Sequence, residues 1–273
     1  MASLGWIGLG RIGNEMALLL LRAGHRLTVF DADPRRLAPV LHQGAQAAAS
    51  PADLAAGTES VFLSVTDADA VAAIVLGPRG LADGMARDAL VIDHSSTHPI
   101  RTREIAARLR ERAGAGWVDA PVSGSPGATL AVFLGGEATD IARIRPWISC
   151  YARTITHLGP LGAGQIAKSC NQAIVCATLA AWVEVLAYAE RLGLDPATVM
   201  QAVDGGGAES SVRRHFLGEL LARRLPPETL RNLTKDLATT RDLAHAASLT
   251  MPVTDIVRAQ FAAIFNPRPD GSS

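Results

Sequence analysis

The pattern of apolar residues changes once along this chain, near Gly164, and that change limits what the chain can fold into. Before it, short Val- and Ile-rich runs alternate with helical stretches. The runs are Leu4–Ile7, Arg26–Phe30, Ser60–Val65, Ala89–Asp93 and Trp117–Val118; between them lie Ile12–Ala23, Pro34–His42, Ala68–Leu76 and Pro99–Arg112. Nearly continuous apolar strands separated by helices predict a mainly parallel sheet covered on both faces. Leu130–Leu134 and Thr154–Leu158 extend it. After Gly164, residues 165–192 contain neither Gly nor Pro and are rich in Ala and Leu, which predicts one long buried helix ended by Gly193. Pro196–Val203, Ser211–Arg224, Glu228–Ala247 and Val253–Phe265 read as further helices, with no strand alternation. The tail Pro267–Ser273 reads as frayed.

The first strand runs into Gly8-Leu9-Gly10-Arg11-Ile12-Gly13 and then a helix. Gly8 permits a tight turn, Gly10 lets a pyrophosphate approach the backbone, and Gly13 lets helix and strand pack closely. The helix start offers free N–H groups and a positive dipole end to phosphates. Strand, turn, helix and strand in this order point to a dinucleotide site. The second strand ends at Asp31, eighteen residues beyond Gly13, close to the spacing of a ribose-binding acid. A carboxylate there favours NAD. Arg35 and Arg36 keep NADP open, because an arginine nearby can hold a 2′-phosphate; their other reading is as solvated helix residues. The expected fold class is an α/β Rossmann domain, doubly wound on a mainly parallel sheet, over residues 1–160. An all-helical C-terminal domain follows over 161–273, joined by the long interdomain helix.

Composition removes several function classes. Lys plus Arg equals Asp plus Glu at 26 each, so no overall field draws the chain to nucleic acid or anionic lipid. Cys150, Cys170 and Cys176 have neither disulfide-framework nor zinc spacing and read as small buried side chains suited to a reducing cytoplasm. No metal-ligand spacing occurs among the histidines. His94 and His98 read as solvated or hydrogen-bonded loop residues. No run reaches the ~18 uninterrupted apolar residues of a membrane span: the longest, Ala173–Val183, stops at Glu184. Met16–Leu21 reads as a buried helix face rather than a signal segment.

Four collinear segments resemble the β-hydroxyacid dehydrogenase family. They are Ile7–Gly13 with Met16-Ala17; Asp119-Ala120-Pro121-Val122-Ser123-Gly124; Gly162-Ala163-Gly164-Gln165-Ile166-Ala167-Lys168-Ser169-Cys170-Asn171-Gln172; and Lys235-Asp236-Leu237. Asp93-His94-Ser95-Ser96 with Pro99 resembles the family's cofactor loop. The resemblance implies reversible hydride transfer between a nicotinamide and a short 3-hydroxy acid or its semialdehyde. It implies Lys168 as general acid/base, Ser123 and Gly124 as substrate-carboxylate binders, and Ser96 at the nicotinamide ribose. Asn171 would orient substrate or Lys168. Gln172 stands where the family often has Asn, with a longer reach. Lys235 would close over nicotinamide or substrate with Asp236 holding it; the pair also reads as an exposed helical pair. Val65 reads either as packing on the adenine side or as an ordinary strand residue.

On the chain itself, Lys168 is expected in the first turn of the long helix, with Asn171 and Gln172 on its face. The helix dipole and partial burial there both disfavour an ammonium, the direction a proton shuttle near neutral pH needs. The segment after Gly124 departs from the family. Ser125-Pro126-Gly127-Ala128 runs almost directly into Thr129-Leu130, about four residues short, which implies a more open substrate site or a different acyl portion. Two other readings compete: an imine reductase-like enzyme, which Lys168 opposes, and a non-catalytic interaction module on the same fold. A helical half this apolar predicts a homodimer or homotetramer.

Overall fold

The computed structural model describes residues 2–265, so the tail from Pro267 lies outside the described residues. The chain divides into two compact units, Met1–Lys168 and Ser169–Ser273. The first unit therefore takes in the opening turns of the long helix.

In the first unit the order is β1 (Ser3–Ile7), α1 (Arg11–Arg22), β2 (Arg26–Phe30), α2 (Ala38–Leu41), β3 (Gln46–Ala47), α3 (Pro51–Ala56), β4 (Ser60–Leu63) and α4 (Ala68–Leu76). There follow β5 (Leu90–Asp93), α5 (Pro99–Ala113), β6 (Gly116–Asp119), β7 (Val122–Ser123), β8 (Ala131–Gly135), α6 (Ala138–Ile148) and β9 (Thr154–Gly159). The sheet runs β3-β2-β1-β4-β5-β6, all parallel. Beyond β6 comes β8, antiparallel to β6 and β7 and parallel to β9. The chain reverses its direction of winding between β1 and β4, and that switch point is where doubly wound sheets bind ligands.

Alternation along the strands splits the core into two layers. Leu4, Trp6, Phe62, Ile92 and Val118 face Met16, Leu20, Ile144 and Ile148 of α1 and α6. Ile7, Val61, Leu63, Val91 and Trp117 face Leu54, Val71, Val75, Ile105 and Leu109 of α3 to α5. Met16, Ala17 and Leu20 are fully buried, so the apolar run in α1 is a core face.

The structure corrects several boundaries. Pro34–His42 is not one helix: a 3₁₀ turn over Pro34–Arg36 precedes α2. Pro39 has no N–H to continue a helical ladder from the preceding turn. The sequence pattern gave no sign of β3, α3 or α6, which are short or, for α6, interrupted by Pro146. β4 stops at Leu63, so Val65 lies past the strand.

The second unit holds most of α7 (Ala163–Arg191), then α8 (Pro196–Ala202), α9 (Ser211–His215), α10 (Leu217–Ala222), α11 (Pro227–Ala246) and α12 (Pro252–Ile264). Its core joins Leu179, Leu186, Met200, Leu220, Leu237 and Phe261. The expected helix over Ser211–Arg224 is broken at Phe216 (φ −107°, ψ 23°), which leaves the helical region. By length and composition alone, α7 could cross a membrane, yet half of its most apolar stretch is buried within the protein. It is not buried all round as expected, since Ile174, Val185 and Tyr188 are exposed. The expectation of three buried cysteines holds for Cys176 but not for Cys170, which is exposed, or Cys150, which is half-buried.

Candidate functional site

Parallel register places the first group of candidate residues. Ile7 pairs with Phe30 and Leu63, Leu63 with Asp93, and Asp93 with Asp119. The carboxyl ends of β1, β2, β4, β5 and β6 thus form one row, and the next residues on each strand leave the same sheet edge. Gly8, Asp31, Val65, Ser96 and the Ser123 segment are brought to that edge by topology alone.

The three glycines of the first turn have different reasons to be glycine. Gly8 has φ +92°, and a Cβ there would strike the Ser64 carbonyl. A Cβ on Gly13 would strike the Gly8 carbonyl. Gly10 has ordinary extended geometry (φ −62°, ψ 179°), and its Cβ would meet nothing within 4 Å. Gly10 caps α1, whose start has no side-chain cap. The fold needs Gly8 and Gly13. At Gly10 the space is open in front of a helix N-terminus, which fits a dinucleotide pyrophosphate. Leu9 is buried, while Arg11 is exposed and pairs loosely with Glu15. Ile12 packs against the core.

Asp31 anchors this turn. Its carboxylate accepts from Leu9 N at 2.7 Å and Asp33 N at 2.8 Å. Arg36 lies 3.9 Å from it. Arg35 grips Asp33 through two bonds of 2.8 Å, which holds the Asp33 carboxyl down at about 2. The two arginines are exposed, as solvated residues would be, and each also pairs with a carboxylate.

The β5 loop is tightly held. Val65 N donates to Ser95 Oγ at 3.0 Å, and Ser95 N to Asp93 Oδ1 at 2.9 Å. Ser96 is half-buried at the loop's centre. His94 is no solvated residue. It is buried between Phe62 and Tyr151, with Nδ1 2.6 Å from Ala120 O and Nε2 2.8 Å from Tyr151 Oη. Only an N–H on Nδ1 can meet a carbonyl, so Nε2 accepts from the tyrosine. Burial pulls its pKa from 6.5 down to about 4. His98 caps α5 by accepting from Ile100 N.

Lys168 and the Ser123 segment meet in the first unit. Lys168 Nζ donates to Val122 O at 2.9 Å, one residue before Ser123. β7 and β8 pair Val122 with Val132 and Ser123 with Ala131, so the shortened segment is the tip of a hairpin. Gly124, exposed at φ +99°, opens it. The helix carrying Lys168 begins at Ala163, earlier than expected, so Lys168 lies in the second turn. There the dipole argument weakens, because the effect fades beyond the first turn.

The start of α7 is occupied by a residue the sequence did not single out. Asp119 at the end of β6 accepts from Gly162 N at 2.7 Å and Gln165 N at 2.8 Å. A Cβ on Gly164 would strike Phe133 O and Asp119, and Gly162 sits at φ +94°, so each glycine of this segment has its own reason. Burial pushes Asp119 up to about 6, against the pull of those N–H bonds.

Asp119 and His94 set opposite pH dependences on stability. Between pH 4 and 6 the folded chain keeps a proton on Asp119 that the unfolded chain has lost. Over the same window the unfolded chain carries a proton on His94 that the folded chain excludes. The two slopes oppose one another. Asp119→Asn should make stability rise by about 3 kcal/mol from pH 4 to 6.5, and His94→Gln should make it fall by about as much from pH 4 to 6. Urea midpoints at each pH test this; parallel profiles for wild type and both variants would refute it.

The second unit brings together the remaining candidates. Asn171 Nδ2 donates to Gln172 Oε1 at 3.0 Å, and Gln172 Nε2 to Asp236 Oδ2 at 2.7 Å. Asp236 Oδ1 lies 3.4 Å from Lys235 Nζ. One buried carboxylate thus holds both Gln172 and Lys235, and Ser169 Oγ donates to Thr240 Oγ1 beside it at 2.8 Å. The Lys235-Asp236 pair is not an exposed helical pair: Asp236 is buried and Lys235 half-buried.

Comparison with known proteins agrees with this geometry. Residues 3–159 match the family described as the NAD binding domain of 6-phosphogluconate dehydrogenase. Residues 162–270 match that described as NAD-binding of NADP-dependent 3-hydroxyisobutyrate dehydrogenase. The 3-hydroxyisobutyrate dehydrogenase of Pseudomonas aeruginosa is 38% identical over 76% of this chain and 71% of its own length. The 2-hydroxy-3-oxopropionate reductase of Escherichia coli is 33% identical over 92% and 87%. A crystal structure of 3-hydroxyisobutyrate dehydrogenase from Salmonella typhimurium superposes with a TM-score of 0.87 at 26% identity, covering 96% of this chain and 94% of that one. With the open glycine cradle, the Asp31 turn and Lys168 all in place, the chain belongs to the β-hydroxyacid dehydrogenase family of NAD(P)-dependent oxidoreductases.

Proposed function

We propose that this protein is an NAD-preferring dehydrogenase of short 3-hydroxy acids in which Lys168 is the general acid/base. The observation that carries the reading is the Lys168 Nζ–Val122 O bond of 2.9 Å, which fixes the amine beside Ser123. Gly8 to Gly13 and Asp31 hold the adenosine diphosphate half of the cofactor, with Val65 on the adenine side, and Ser96 receives the nicotinamide ribose. Bound nicotinamide supplies the acceptor or donor of a hydride. In oxidation, the Lys168 amine takes the hydroxyl proton. In reduction, its ammonium returns that proton to the carbonyl oxygen. Ser123 Oγ and backbone N–H groups at Gly124 bind the carboxylate. Asn171, one helical turn beyond Lys168, orients the substrate. Gln172 and Asp236 hold Lys235 within the second unit.

The preference for NAD rests on charge. Asp31 and Asp33 pair with Arg36 and Arg35, so an added 2′-phosphate would meet carboxylates. We expect kcat/KM with NAD to exceed that with NADP at least tenfold. The names of the relatives point to 3-hydroxyisobutyrate and 2-hydroxy-3-oxopropionate as first substrates, and the short hairpin tip widens the panel to glycerate, serine and threonate. Following absorbance at 340 nm with each acid and each cofactor tests the reading. Dinucleotide binding without turnover of any hydroxy acid would refute it, and a preference for NADP would overturn the charge argument alone.

The oligomer proposed is a homodimer or homotetramer. Ile174, Val185 and Tyr188 on α7, and Leu192 just past its end, are 68%, 46%, 67% and 62% exposed, and the spacing of the first three puts them on one helix face. A second copy covering that stripe would remove it from water. A monomeric mass in light scattering would refute this.

A further inference from the structure

Gln165 is 1% exposed and lies one helical turn before Lys168 on α7. Its carboxamide spans the loop after β5. Nε2 donates to Ser95 O at 2.8 Å, and Oε1 accepts from Thr97 N at 3.0 Å. Ser96 sits between those two bonds and is the half-exposed residue in the otherwise buried run 91–97. The backbone N–H of Gln165 goes to Asp119 Oδ2, which fixes the helix start to β6. A planar group carrying both a donor and an acceptor is needed to bridge a carbonyl and an N–H in this way, and among side chains of this length the glutamine amide supplies it.

We propose that Gln165 is a positioning residue that locks the Ser96 loop and Lys168 into one frame, resting on the dehydrogenase reading above. Three of its groups tie two strand-end features, the β5 loop and the β6 carboxylate, to the helix bearing the amine. Without the amide, the loop meant for the nicotinamide half of the cofactor loses its register with Lys168. Displacement of reacting groups by about 1 Å costs about 100-fold in rate. The adenosine half, held at Gly8 to Gly13 and Asp31, keeps its own contacts.

Gln165→Met and Gln165→Glu test this. Met removes both side-chain bonds; Glu keeps the acceptor for Thr97 N and loses the donor to Ser95 O. For Gln165→Met we expect kcat at saturating dinucleotide to fall about 100-fold with KM for the hydroxy acid within about threefold. NADH should bind about tenfold more weakly, while ADP, which lacks the nicotinamide half, binds as in wild type. Gln165→Glu should show the same split to a smaller degree, and it serves if the Met variant does not fold. A lower melting temperature with kcat within threefold of wild type and an unchanged NADH-to-ADP affinity ratio would overturn the proposal, leaving Gln165 merely structural. If wild type turns over no hydroxy acid, the dehydrogenase reading has failed. The affinity ratio then decides the Gln165 proposal by itself, and an unchanged ratio refutes it.

Discussion

Lys168→Ala should lower kcat about 10²- to 10⁴-fold, the range a positioned general acid/base contributes. Cofactor affinity should stay within about threefold of wild type, because Gly8 to Gly13, Asp31 and Ser96 belong to other segments of the chain. The folded state should survive too. Lys168 and Val122, whose carbonyl accepts from it, are both half-buried rather than part of the core. Lys168→Arg should be nearly as inactive as Lys168→Ala. A guanidinium keeps the charge but does not give up its proton in the working pH range. Fluorescence titration with NADH, beside steady-state rates, separates binding from chemistry. A Lys168→Ala enzyme within tenfold of wild-type kcat would remove the proton-transfer role.

Gly8→Ala and Gly10→Ala should fail in opposite ways. At Gly8 a side chain meets the Ser64 carbonyl, and the backbone sits at φ +92°. Left-handed geometry costs about 1–2 kcal/mol for a residue with a Cβ, and overpacking against backbone adds about 1–3 kcal/mol. The sum, roughly 2–5 kcal/mol, is a large part of a domain's stability. Gly13→Ala should behave similarly, since its Cβ meets the Gly8 carbonyl; the gain in helix propensity, about 1 kcal/mol, is too small to offset that clash. Gly10→Ala should leave stability within about 0.5 kcal/mol, because its Cβ points into open space and its dihedrals suit alanine. It should weaken NAD at least tenfold by filling the room the pyrophosphate needs. Chemical denaturation and NAD titration of the three variants give the answer. Equal NAD affinity in Gly10→Ala and wild type would remove the phosphate cradle from this turn.

Local patterns made much of the first unit legible. The strands β1, β2, β4, β5 and β6 are short apolar runs between helices, and the spacing of Gly8, Gly10 and Gly13 marks the turn. Hydrophobic period and turn chemistry are local properties, so no partner has to be known to read them. Where local signals were weak, the reading failed. α6 contains Pro146, α3 is six residues long, and a proline divides the segment after β2. The exposed side of α7 was also hidden, because an Ala- and Leu-rich run looks equally apolar on every face.

By itself the sequence determined the α/β order, the change to helices after Gly164, the glycine turn and the place of Lys168 four residues after a Gly-x-Gly run. Only the tertiary structure decided what holds these parts. Asp119 takes Gly162 N and Gln165 N across 43 and 46 residues of chain. Gln165 bridges Ser95 and Thr97 across 70 and 68. His94 became a core residue through Tyr151, 57 residues away. Each of these side chains is polar and, read alone, belongs to a surface. Burial became possible when the fold brought a matching donor or acceptor from a distant segment, and no local spacing records where that partner lies.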